Sequence, residues 1–111
     1  MEKSLKGEIV IVPFPFSDLS QAKKRPALLL SVLEGNDLIL CQITSRLSRD
    51  KYAINLAQGD FAGGTLKQES NIRPNKLFTA DRSIILYRAG SLTKQKTTEV
   101  IEKVCQIIRG E

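Results

Sequence analysis

Residues 27–44 run Ala-Leu-Leu-Leu-Ser-Val-Leu-Glu-Gly-Asn-Asp-Leu-Ile-Leu-Cys-Gln-Ile-Thr. Two apolar runs, 27–33 and 38–44, flank Glu34-Gly35-Asn36-Asp37, and Gly35-Asn36 supplies the turn. Apolar runs on both sides of such a turn are a β-hairpin signal. Upstream, Gly7-Glu8 opens another β-rich run, Ile9-Val10-Ile11-Val12, which Pro13-Phe14-Pro15-Phe16 is expected to end because proline cannot donate to a central ladder. A polar loop, residues 17–24, separates it from Arg25-Pro26 at the head of the hairpin.

Downstream, Tyr52, Ile54 and Leu56 alternate with Ala53 and Asn55, as in a short half-buried strand. Gly59, Gly63 and Gly64 mark a connection, and a run over residues 65–73 is expected to stop at Pro74. Residues 77–80 and 84–88 read as further short extended or turn-like pieces, with a helical turn starting at Asp81-Arg82. From Thr93 the period changes. Val100, Ile101, Val104, Cys105, Ile107 and Ile108 fall on one helical face, with Thr93 placed as N-cap and Gly110 as the stop. The expectation is a mainly β chain with a C-terminal helix (α+β): a small, strongly curved antiparallel sheet or barrel, its opening covered by the helix.

Size fits one domain over residues 1–111, and a 41% apolar content without Trp makes a dimer a reasonable way to bury more surface. The apolar runs are far shorter than the roughly 20 residues of a membrane helix. The polar start of the chain lacks an apolar stretch behind it, so a cytoplasmic protein is expected. A net charge of +5 favours polyanionic partners without choosing among nucleic acid, acidic protein and anionic membrane. Cys41 and Cys105 read as free thiols. There is no histidine, which removes the usual zinc ligand sets, Ser-His-Asp and Cys-His catalysis, and histidine-based nuclease schemes.

Several segments in order carry a resemblance: Gly7-Glu8-Ile9-Val10, Pro13-Phe14-Pro15-Phe16-Ser17-Asp18, Arg25-Pro26-Ala27-Leu28, Ile43-Thr44-Ser45, Ser70-Asn71-Ile72-Arg73, Lys76-Leu77-Phe78-Thr79-Ala80-Asp81 and Gly90-Ser91-Leu92-Thr93. Together they resemble the MazF/PemK toxins of toxin–antitoxin systems. That resemblance implies an SH3-like MazF/PemK barrel of five to seven short antiparallel strands and a homodimer. It implies a sequence-specific endoribonuclease (a hydrolase) acting on single-stranded RNA such as mRNA. It also implies neutralisation by a small antitoxin protein. No metal or other cofactor is expected.

RNA brings its own nucleophile, the 2′-OH, so the protein has to orient the strand and stabilise charge on the phosphate. Arg25, at a loop-to-strand junction, offers a planar fork that matches two phosphate oxygens, and the resemblance assigns the Arg of Arg-Pro to catalysis. Thr44, at the end of its run, takes the position of a catalytic or phosphate-orienting hydroxyl in that family. Each also has a plain reading, a surface arginine and an ordinary β-branched strand residue. Candidate RNA-binding residues are Phe16, Ser20, Lys23, Lys24, Ser45, Arg46, Arg73 and Asn75, with Arg49 and Lys51 extending a basic rim and Phe61 a second stacking candidate. Some family members carry Asp where Asn75 stands, as a proposed general base; Asn75 cannot take that proton, and Glu69 and Asp81 are the nearby alternatives. Two other readings use the same fold: a non-enzymatic toxin that inhibits DNA gyrase, and a nucleic-acid-binding SH3-like adaptor.

Overall fold

A computed structural model of the chain describes residues 6–14, 23–45 and 50–111. Among these, seven antiparallel strands form one curled, half-barrel sheet: β1 (Glu8–Phe14), β2 (Lys23–Val32), β3 (Asp37–Thr44), β4 (Ile54–Leu56), β5 (Phe61–Gly64), β6 (Ser70–Asp81) and β7 (Tyr87–Leu92). Their order across the sheet is β4-β6-β3-β2-β1-β7-β5, and α1 (Lys94–Arg109) follows.

The hairpin read from residues 27–44 is the centre of this sheet. Leu28 pairs with Cys41 and Leu29 with Leu40, and the Leu33 N–H closes the turn on the Asp37 carbonyl at 3.0 Å. Its apolar residues run continuously because both faces are covered. Leu28, Leu30, Cys41 and Ile43 join one core cluster with Ile9, Ile72 and Val100 of α1, while Ala27, Leu29 and Leu40 join a second with Val10 and Val12. Alternate residues of one strand therefore feed two cores, as a period of two requires. Burial pushes the Cys41 thiol up to about 12, and both cysteines are free.

β1 runs to Phe14, inside the stretch Pro13–Phe16 expected to end it, whereas Pro74, expected to stop a strand, lies inside one. Pro13 pairs with Lys24 near the end of β1, where the pairing of β1 with β7 has already ceased at Ile11, so its missing N–H costs no ladder bond on that side. Pro74 is fully buried inside β6. There Cys41 pairs with Leu77 but Gln42 pairs with Arg73, so β6 carries the extra residues 74–76 as a bulge. A bulge leaves its residue unpaired and so tolerates proline. The run expected to end at Pro74 instead continues to Asp81.

Asp81 caps the short 3-10 turn Arg82–Ile84 by accepting from the Ser83 N–H at 2.8 Å. The Thr93 hydroxyl accepts from the Lys96 N–H at 3.2 Å, and Gly110, at φ +77°, ends α1 in the left-handed region that suits glycine. Val100 is buried and Ile101 and Val104 pack on the first core. Ile108, expected on the same covered face, is 71% exposed: the apolar stripe outruns the sheet beneath it.

Candidate functional site

Arg25 and Thr44 come together at one end of the sheet. Ala27 pairs with Gln42 at the end of the β2–β3 register, and Arg25 on β2 and Thr44 on β3 each lie two residues beyond that pair. Thr44 pairs with Asn71 of β6, and Asn71 with Asn55 of β4, so these three positions form one row across three strands. An open cavity of about 320 Å³ lies at this row, with Arg25 and Pro26 on one side and Thr44 and Ser45 on another.

The connection between β5 and β6 closes the third side through Leu66, Lys67 and Gln68, with buried Ser70 behind it. The Ser70 hydroxyl donates to the Gln68 carbonyl at 2.9 Å, which ties this connection down at its β6 end. At its β5 end a close backbone approach fixes it. A Cβ on Gly64, whose φ is +67°, would collide with the Ala89 carbonyl oxygen and come within 2.7 Å of the Gly90 Cα. Only glycine lets β5 lie this close to β7.

Lys24, Arg25 and Lys67 line the cavity, and no carboxylate does among the described residues. None of the three forms an ion pair with a described residue. Arg25 and Thr44 are half-buried, while Lys24, Ser45, Lys67 and Gln68 are exposed. A strand end therefore presents a guanidinium with no described ion-pair partner beside a hydroxyl and two ammonium groups. This set suits a phosphodiester: planar donors for its oxygens and cations for its charge.

Arg73 and Asn75 lie away from this cavity. The Arg73 Nε donates to the Asp50 Oδ2 at 2.9 Å, and the Asn75 side chain also bonds to Asp50. The Asp50 side chain is 6% exposed. Desolvation pushes its carboxyl up, but the Tyr52 N–H, Arg73 and Asn75 together outweigh that and hold it below the usual carboxylate value. Arg73 and Asn75 thus hold Asp50, and neither lines the cavity. Asp50 is the residue that sequence reading missed. Its partner lies 23 positions away, and no local spacing signals the pair.

Glu69 accepts from the Asn55 Nδ2 at 3.2 Å and lies outside this cavity. Asp81 pairs with Asp37, at the other end of β3 from Thr44. Lys23 is exposed at the start of β2, paired with Phe14. Lys51 sits over the Tyr52 ring at 5.4 Å, and Phe61 begins β5, partly buried against the first core. Phe16, Ser20, Arg46 and Arg49 lie outside the described residues. No cluster of Cys, Asp and Glu able to hold a metal ion occurs among the described residues, and no described helix is long and apolar enough to cross a membrane.

Residues 5–108 match the family described as PemK-like, MazF-like toxin of type II toxin–antitoxin system. The chain belongs to this toxin family. Solved structures share the fold at low identity. The crystal structure of MazF (Form-I) from Deinococcus radiodurans superposes with a TM-score of 0.71 at 21% identity, covering 96% of each chain. The Mycobacterium tuberculosis toxin MazF-mt6 gives 0.71 at 15%, covering 92% of this chain and 96% of that one. An endoribonuclease in complex with its cognate antitoxin from a mycobacterial species gives 0.69 at 13%, covering 99% and 96%. A sequence search of curated proteins returns no match. Family and fold thus agree with the resemblance first carried by Arg25-Pro26 and Ile43-Thr44-Ser45.

Proposed function

We propose that this PemK/MazF-family chain is a sequence-specific, metal-independent endoribonuclease toxin that cuts single-stranded RNA at the Arg25–Thr44 cavity. What supports this reading most is that Arg25 and Thr44 line one open cavity whose described cations have no ion-pair partner among the described residues. In this account Arg25 holds two oxygens of the scissile phosphate and stabilises the pentacoordinate state as negative charge grows on it. The Thr44 hydroxyl donates to a third oxygen, and Lys24 and Lys67 steer and neutralise the strand. The 2′-oxygen attacks phosphorus, the bond to the 5′-oxygen breaks, and a 2′,3′-cyclic phosphate and a 5′-hydroxyl result. The 2′-oxygen loses its proton and the 5′-oxygen gains one, both exchanging with water through the cavity mouth. Chemistry of this kind needs no metal-bound water.

Lys23 and Ser45 extend the grip along the backbone, and Phe16, Ser20 and Arg46 are RNA-binding candidates from the sequence. Arg73 and Asn75 contribute by holding Asp50 rather than by contacting RNA. By analogy with the neighbours solved as endoribonuclease–antitoxin and MazE–MazF complexes, the chain is neutralised by a small antitoxin protein. It works as a cytoplasmic homodimer, which buries more surface than so small a chain buries alone.

The test is cleavage of a long single-stranded RNA in excess EDTA by wild type and Arg25→Ala. Discrete cuts by wild type, lost in a folded Arg25→Ala variant, are expected. Equal cutting by both, or activity that disappears with EDTA, would overturn the mechanism.

A further inference from the structure

A second cavity, of about 330 Å³, lies directly beside the first and shares Leu66, Lys67, Gln68 and Ser70 with it. Its chemistry is different. The first cavity gathers Lys24, Arg25 and Lys67 with no described carboxylate, whereas the second balances Lys67 against Glu69. The remaining polar lining is the amides of Asn55, Gln58 and Gln68 and the hydroxyls of Thr65 and Ser70, and the apolar lining includes Phe61. Its volume sits at the low end of the roughly 300–1,000 Å³ typical of small-ligand sites. A neutral, amide-rich recess beside a cationic one matches the two halves of a nucleotide. Side-chain amides carry the adjacent donor and acceptor that read base edges, and an apolar aromatic wall suits an unstacked ring.

One contact sets the polarity. The Asn55 Nδ2 donates to the Glu69 Oε1 at 3.2 Å. That bond leaves the Asn55 Oδ1 and the second Glu69 oxygen as acceptors. Two neighbouring acceptors are met by an exocyclic amino group, which brings two N–H donors in adenine, cytosine or guanine, whereas uracil brings one, N3–H, flanked by two carbonyl oxygens.

We propose that this cavity is a nucleobase subsite for single-stranded RNA, taking the base next to the phosphate held at Arg25 and choosing amino-bearing bases over uracil. Glu69 and Asn55 are its specificity-determining residues, and Gln68, on the shared wall, links base choice to phosphate placement. The subsite rests on the ribonuclease reading for its substrate, and its test separates the two.

Oligo(dU) strands carrying a single dA, dC or dG are bound but lack the 2′-OH, so they report base choice without turnover. Wild type is expected to bind the substituted strands about tenfold more tightly than oligo(dU), and Glu69→Gln to remove that preference. Glu69 is exposed, so its replacement leaves the core intact. In parallel, cut sites mapped on mixed-sequence RNA should disfavour uracil at one flanking position in wild type and lose that bias in Glu69→Gln and Asn55→Ala. Equal binding of all four strands by wild type, or a cut-site bias unchanged in both variants, would overturn the subsite. A base preference in binding by a wild type that cuts no RNA would leave the subsite standing and overturn the nuclease reading instead.

Discussion

The Nε of Arg73 meets the Oδ2 of Asp50 at 2.9 Å, tying Asp50 to β6 beside the bulge at residues 74–76. Asp50 is nearly buried, and the Tyr52 N–H and Asn75 also bond to it, so its charge is met on three sides. Asp50→Asn keeps the shape and removes the charge. A hydrogen bond to a charged group contributes roughly 1.5–3 kcal/mol, so a loss of about that size is expected in urea denaturation at pH 7.

The same carboxyl predicts an acid dependence. Its folded pKa is depressed below 3.8, so its stabilising contribution is complete above that value and is lost as pH falls through the folded pKa. Wild type should therefore lose stability below about pH 4 more steeply than Asp50→Asn, and the gap between them should close. Parallel pH profiles of the two proteins would show that Asp50 is not the group responsible.

Gly64→Ala forces a side chain against the Ala89 carbonyl at a left-handed φ. The backbone term alone costs roughly 1–2 kcal/mol, and β5 must also move away from β7. The connection carrying Lys67 and Gln68 should shift with it. The expected outcome is a lower denaturation midpoint together with cleavage reduced more than the folded fraction accounts for. Gly35→Ala is the control: it adopts a similar φ, +77°, but a Cβ there meets nothing within 4 Å and the position is remote from the cavity.

The two cysteines should react differently. Cys41 is buried and its thiol is pushed up to about 12, so it stays unmodified by iodoacetamide at pH 8 in the native protein. Cys105 is partly exposed on α1 and takes the label first. Mass spectrometry of native and urea-unfolded protein reads this directly. Labelling of native Cys41 at the rate of Cys105 would mean that the central hairpin opens readily.

The hairpin over residues 27–44 and helix α1 with its Thr93 and Gly110 caps were legible in the sequence because their signals are local. Arg25 and Thr44 were legible one at a time, and the β2–β3 register brings them together. What stayed hidden depends on distant pairing. Pro74 reads as a strand breaker until β3 is laid beside β6 and the extra residues become a bulge. Arg73 and Asn75 read as RNA-binding candidates, and the bond from Arg73 to Asp50, 23 residues away, leaves no local sign in the sequence. The wall formed by Leu66, Lys67 and Gln68 has no periodic pattern, since Gly64 at one end and Ser70 at the other hold it in place.

The account centres on a nucleophile supplied by the RNA at the Arg25–Thr44 cavity. The most direct measurement takes a short RNA containing one mapped cut site and replaces the single 2′-OH at that site with hydrogen, in excess EDTA. The account predicts that cutting at that bond stops while binding persists, and that the unmodified RNA yields a 2′,3′-cyclic phosphate and a 5′-hydroxyl. Continued cutting of the 2′-deoxy bond would contradict it, because the attacking oxygen would then have to come from water or the protein.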